Sequence, residues 1–346
     1  MQIEPQYPLD APTLIVGLLG FTREQELAAG DLLSRRLDSL VAWRTGSLSQ
    51  ADALCVNGTR AQLLQDGSVR VAAGHPGARA VRLSLDEVDR PVAFSEPLAC
   101  ADIEPACSFV MDDPASVSAL LSLMENKWLA GKAARLWLAG RLIENSAAMP
   151  QRVYHLVRGG RLLAVVDRTG DVGIAPAVSL EDLEQATWLA RPSSAAYVPP
   201  SFQPTSISEL VWTYAVRAQA DLLPVRYRTS SIYFRRSPKL PQRLLGDAHL
   251  LVIRELLGGP LHFVELQQRT GMAEVQLARS LAALYLAGSV TCNPQRVPDA
   301  HARGASVAPA GAAAESVWSP TRASSGFAAS AFAQGRDFTI PANLPR

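Results

Sequence analysis

Residues able to do chemistry fall in two places in this chain. The first is a set of positions that close short apolar runs: Gly20-Phe21-Thr22 after "TLIVGLL", Asn57 in "ALCVNG", Ser84 after "ARAVRL", and Glu96-Pro97 after "PVAFS". At such positions carboxylates can hold a divalent cation or attack phosphorus, and hydroxyl or ammonium groups can bind phosphoryl oxygens. The second is "RYRTSSIYFRRSPK", where Arg226, Arg228, Arg235, Arg236 and Lys239 alternate with Tyr227, Tyr233 and Phe234. Guanidinium forks beside aromatic rings suit phosphate-bearing partners such as DNA or a nucleotide second messenger. An exposed linker with solvated arginines reads the same way.

Other chemistries lack their residues. The chain has no GxGxxG, P-loop, HExxH or GxSxG, and so lacks these signatures of dinucleotide, phosphate, zinc and acyl-transfer sites. His75, His155, His249, His262 and His301 are scattered, and each is read as structural. Asp167 and Asp171 flank a turn and are read as turn formers. Cys55, Cys100, Cys107 and Cys292 form no CxxC pair and have no histidine at ligand spacing. They are expected to be reduced and mostly buried, as in a cytoplasmic protein. No metal, cofactor or enzymatic activity is expected.

Composition sets the frame for these residues. A length of 346 residues suggests two or three domains, and 48% hydrophobic residues allow a sizeable core. A formal net charge of +1 gives no global attraction to nucleic acid or lipid. No apolar run approaches the roughly 18–20 residues that span a bilayer. The opening "MQIEPQYPLDAPT" has neither the basic nor the apolar region of a signal peptide.

The elements that must position the first set alternate. Residues 13–21 predict a buried strand and 22–40 a helix capped by Thr22. Strands follow at 40–43, 51–58, 78–84 and 91–95, which makes "PVAFS" the fifth. This alternation implies a parallel sheet with covered faces. Residues 114–144 predict one kinked helix or two, interrupted by Gly131 and Gly140. Gly159-Gly160 and Thr169-Gly170 divide 152–176 into a three-strand meander. Residues 179–190 predict a helix opened by Ser179 and Asp182, and the proline-rich 191–206 a connector. Helices at 207–222, 247–259, 262–270 and 273–288 follow, then a strand at 289–292. The domains are expected at 1–112 (α/β), 113–204 (a small α+β middle region), 205–296 (mainly helical) and 297–346 (an Ala/Ser/Gly/Pro-rich disordered tail). The closing "RDFTIPANLPR" reads as a frayed end or a short docking motif.

From Thr13 to Pro97 the order of strands resembles a bacterial response-regulator receiver domain. The resemblance implies acids after the first strand to hold Mg²⁺ and an aspartate phosphoacceptor ending the third. It also implies a Ser or Thr after the fourth and Lys-Pro after the fifth. Here Gly20 and Phe21 stand where the acids would, and Asn57 occupies the acceptor position. Ser84 matches the hydroxyl, and Glu96 replaces the lysine before Pro97. An amide cannot form an acyl phosphate, and Glu96 would repel a phosphoryl group. The resemblance therefore implies a pseudo-receiver that binds protein partners through the face near its fourth and fifth strands. The span is short for a full receiver, which implies a reduced helix or strand. The alternative reading of Thr13 to Pro97 is an unrelated small α/β domain that happens to share this strand order.

Residues 247–292 resemble a winged helix-turn-helix. On its third helix the exposed positions are Glu274, Gln276, Arg279 and Ser280, and only Arg279 is basic. Winged helices with such faces usually dock proteins. Residues 205–296 nevertheless hold eleven Lys/Arg against six Asp/Glu. The leading expectation is a cytoplasmic, non-catalytic signalling adaptor acting by protein docking. The alternatives are a DNA-binding transcriptional regulator through the winged helix and a nucleotide second-messenger sensor through the basic stretch 226–239, with Arg226, Arg228, Arg235, Arg236, Lys239 and Arg279 as the candidate anion- or nucleic-acid-binding residues.

Overall fold

A computed structural model describes residues 11–34 and 39–297. The expected tail and the closing docking motif lie outside the described residues. The rest divides into two compact units, one of residues 11–222 with 239–244, the other of 223–238 with 245–297.

The first unit opens with β1 (Thr13–Leu19), α1 (Arg23–Ser34), β2 (Ala42–Thr45) and β3 (Ala53–Asn57). Thr22 and Gln25 cap α1 reciprocally: Gln25 N donates to Thr22 Oγ1 at 3.2 Å and Thr22 N to Gln25 Oε1 at 3.0 Å. Next come β4 (Ala61–Leu63), β5 (Val69–Val71) and β6 (Val81–Leu83), then β7 (Val92–Ser95) and β8 (Ser108–Phe109). Five of these strands form a parallel sheet in the order β2-β1-β3-β7-β8.

This corrects the strand count. Residues 78–84 contribute no strand to the parallel sheet. They end a separate antiparallel sheet, β4-β5-β6. "PVAFS" is the fourth parallel strand, and the two-residue β8 is the fifth. The meander forms because Asp66-Gly67 turns the chain between two apolar runs, with Gly67 at φ 79° and Asp66 Oδ1 accepting from Ser68 N at 3.1 Å.

Both faces of the parallel sheet are buried, as an all-parallel sheet requires. Leu54, Val56 and Phe94 pack against Val69, Val71 and Leu83 of the meander. Leu14, Val16, Ala53, Cys55 and Ala93 face the other way, into a core shared with helices and a second sheet. That core receives α2 (Pro114–Leu123) and α3 (Ala130–Glu144). A π-helical turn, Met124–Trp128, joins them, so the expected interrupted helix is two.

The second sheet is antiparallel, in the order β12-β9-β10-β11-β13. Its strands are β9 (Val153–Arg158), β10 (Arg161–Asp167), β11 (Asp171–Ile174), β12 (Thr187–Arg191) and β13 (Gln203–Ser206). Gly159 and Gly160, at φ 55° and 80°, make the β9–β10 hairpin. The helix read over 179–190 is α4 (Leu180–Glu184) alone, opened by the Ser179–Asp182 capping box. Thr187 and Trp188 leave it to pair with β9, because β-branched and aromatic side chains fit a pleated surface. Residues 203–206 of the expected connector are likewise an edge strand, where Pro204 is tolerated. The unit continues through α5 (Ile207–Ala215), packed so closely on α3 that a Cβ on Gly140 would lie 2.9 Å from Tyr214. The expected boundaries at 112 and 204 therefore fall inside one core.

The second unit holds α6 (Arg226–Thr229), β14 (Tyr233–Phe234), α7 (Asp247–Leu257), α8 (Phe263–Thr270), α9 (Glu274–Leu286) and β15 (Val290–Thr291). Gly271, left-handed at φ 65°, ends α8 before α9 begins. β14 pairs antiparallel with β15, and Ile232 bridges to Leu261. The arginine-rich segment, which also read as an exposed linker, is thus a helical turn followed by a strand.

Candidate functional site

In doubly wound sheets, ligands bind outside the carboxyl ends of the strands. Here that edge is formed by Gly20-Phe21 after β1, Asn57-Gly58 at β3, Ser95-Glu96 at β7 and Val110 after β8. No carboxylate follows β1 or ends β3.

Asn57 is buried and its polar atoms are engaged. Its Oδ1 accepts from Thr59 N at 3.1 Å and Thr59 Oγ1 at 2.7 Å, and its Nδ2 donates to Gln25 Oε1 at 3.4 Å. The amide thus ties β3 to the start of α1. Ser95, not Ser84, stands at the end of the fourth parallel strand, and its Oγ accepts from Gly58 N at 3.1 Å. A Cβ on Gly58 would lie 2.0 Å from Ser95 O. Ser84 lies after β6, on the antiparallel sheet, so it is not brought to Asn57 by the parallel pairing. Glu96 is exposed and accepts from Ser108 Oγ at 2.7 Å, and its peptide bond to Pro97 is cis.

The meander closes this edge. A Cβ on Gly74 would lie 1.7 Å from Phe21 O, and one on Gly20 would lie 2.8 Å from Val71 Cγ1. Backbone is therefore packed on backbone where a phosphoryl group would need room. What stays open is a shallow depression lined by Glu96, Pro97, Leu98 and Val110.

The strongest electrostatic feature lies elsewhere, just before β3. Asp52 has a fully buried side chain; it accepts from Ile15 N at 2.9 Å and from Arg217 Nη2 at 3.0 Å, and pairs with Lys132. Burial alone would push its carboxyl up, but the Arg217 hydrogen bond and the charges of Arg217 and Lys132 hold it below the ordinary range. This triad joins β1, α3 and the end of α5 at the amino-terminal edge of the sheet, and reads as a structural clamp.

The basic residues separate. Arg226 stacks over Tyr227 and Tyr285, each 5.7 Å from the ring centroid. Arg228 pairs with Glu274 at 2.7 Å and lies over Phe263. Lys239 belongs to the first unit. Arg279 is half-buried on α9. Arg235 and Arg236 sit together at the end of β14, and Arg296, which the sequence reading passed over, bears electrostatically on Arg235.

The other readings distribute as follows. Asp167 accepts from Thr169 N and Oγ1, a turn-forming role, and also pairs with Arg152 at 2.6 Å. Only Cys55 of the four cysteines is buried, its thiol pushed up to about 12 by burial; the other three are half-exposed, because they sit in loops or at the end of a short strand. Among the described residues no group of three or more His, Cys, Asp or Glu converges to hold a metal ion, and no helix is long and apolar enough to cross a membrane.

No protein-family model matches the chain, no curated protein matches it, and no solved structure matches it.

Proposed function

We propose that this protein is a non-catalytic, cytoplasmic bacterial signalling adaptor whose first unit is built on a pseudo-receiver and acts by docking protein partners. The carrying observation is the closed edge around Asn57, where no acid follows β1 or ends β3. The amide's oxygen and nitrogen are spent within the fold, and Gly74 packs on Phe21 beside it. The parallel order, with β1 central between β2 and β3, is the doubly wound order of flavodoxin-like sheets to which receivers belong. A partner would engage the ends of β7 and β8, where Val110 is 41% exposed beside Glu96, Pro97 and Leu98.

The second unit is read as winged-helix-like, from three helices, the Gly271 turn and the short ribbon. Its third helix supports docking over DNA reading: α9 is buried from Leu277 to Leu286 except for half-buried Arg279, and its exposed residues are Glu274, Val275 and Gln276. A recognition helix needs donors and acceptors free to reach base edges. Capture with the tagged full chain tests the docking face. A protein retained by the wild type should be lost with Val110→Glu, while the thermal midpoint stays unchanged. Equal retention by both would remove this face from the account.

A further inference from the structure

The end of β14 carries an irregularity. Arg235 N and Arg236 N both donate to Ser289 O, at 2.8 and 3.4 Å. Two residues of one strand thus oppose one of its partner segment, which is a β-bulge. In a regular strand neighbouring side chains point to opposite faces. A bulge breaks that alternation, and such bulges recur where a side chain must be re-aimed. We propose that Arg235 and Arg236, brought to one side of the β14–β15 ribbon by this bulge, form a binding site for a small phosphorylated anion.

Four observations support the site. The two guanidiniums are neighbours without a neutralising carboxylate: neither makes an ion pair among the described residues, whereas Arg228 in the same segment pairs with Glu274. Arg235 is half-buried, and its burial, then the charges of Arg236 and Arg296, push its guanidinium below the ordinary value. Like charges held together in a partly desolvated place are relieved by an anion. The guanidinium of Arg236 lies close over Gly288, whose φ of 71° and missing side chain allow it: a Cβ there would meet Arg236 Nη2 at 3.1 Å. Opposite the bulge, Ser289 is fully buried and its Oγ has no hydrogen-bond partner.

The geometry favours a compact ligand. Two guanidiniums present up to ten N–H donors to one point, enough for the oxygens of one pyrophosphate group. A duplex would instead need cations spread along successive phosphates. The other arginines of the segment are held by Tyr227, Tyr285 and Glu274.

Calorimetry on the full chain tests this with inorganic pyrophosphate, ATP and a duplex DNA as separate probes. Pyrophosphate and ATP should bind, with affinity falling as salt rises. Binding should weaken by about 100-fold in R235A/R236A, the order expected for two charge-assisted contacts. R235K/R236K should weaken it less, because lysine keeps the charge and loses the fork. R254A, which removes one exposed arginine charge from α7, should leave it unchanged. Circular dichroism on each variant separates lost binding from lost fold. Tighter ATP than pyrophosphate binding would place the nucleoside in the site as well. Three results would overturn the proposal: no binding of either anion at low salt, wild-type affinity in a folded R235A/R236A, or binding of the duplex alone.

Discussion

Asp52 shows how much one residue determines in the first unit. Its carboxylate satisfies a strand amide and two cations from separate elements. Asp52→Ala leaves those cations facing each other, and should cost about 3–5 kcal/mol, the range for breaking a buried pair. The pH dependence has a defined sign. The folded-state value is depressed, so the stabilisation is full above the unfolded value near 4 and is lost as pH falls through the folded value. Urea unfolding of wild type and variant should therefore differ most at pH 7 and converge in acid. A constant difference from pH 7 to pH 2 would show that Asp52 acts by packing alone. Asp52 was not singled out from the sequence, because a lone aspartate before a strand has no local partner. Arg217 is 165 residues away. Asn57 and Glu96 were legible because each ends an apolar run, and strand ends can be read locally.

At the scale of elements, local chemistry marked what it controls. The Gly159-Gly160 turn, the Ser179 capping box and the three helices of the second unit were all readable from turn residues and apolar spacing. The hairpin can be tested directly. Replacing Gly159 and Gly160 by Ala puts Cβ atoms at positive φ, and should cost about 1–2 kcal/mol per residue in a denaturant titration. A neutral effect would mean that the turn relaxes to another type. The elements misread were those set by pairing. β8 has two residues and no hydrophobic pattern of its own. β12 reads as a continuation of α4 until β9 claims it. The meander did have a signal, Asp66-Gly67 between "AQLL" and "SVRV", which is strong hairpin chemistry. Counting its last strand as the fourth of the parallel sheet displaced the hydroxyl from Ser95 to Ser84.

For the whole molecule, the division of the chain follows burial more than composition. Residues 1–112 and 113–204 were separable by pattern, since one alternates strand and helix and the other is a helix followed by a meander. Leu14, Ala53, Met124, Leu136, Leu156 and Val166 nevertheless share a core. Such sharing is invisible locally, because a strand's apolar face does not say which partner covers it. The same core holds the first unit together, its carboxyl edge is closed, and the account turns on that closure. Incubating the full chain and Asn57→Asp with acetyl phosphate and Mg²⁺, followed by intact mass measurement, tests it most directly. The account predicts no phosphoryl adduct on either protein, since no acid follows β1 to hold the metal and Gly74 packs on Phe21. A stable phosphoryl group on the wild-type first unit would contradict it.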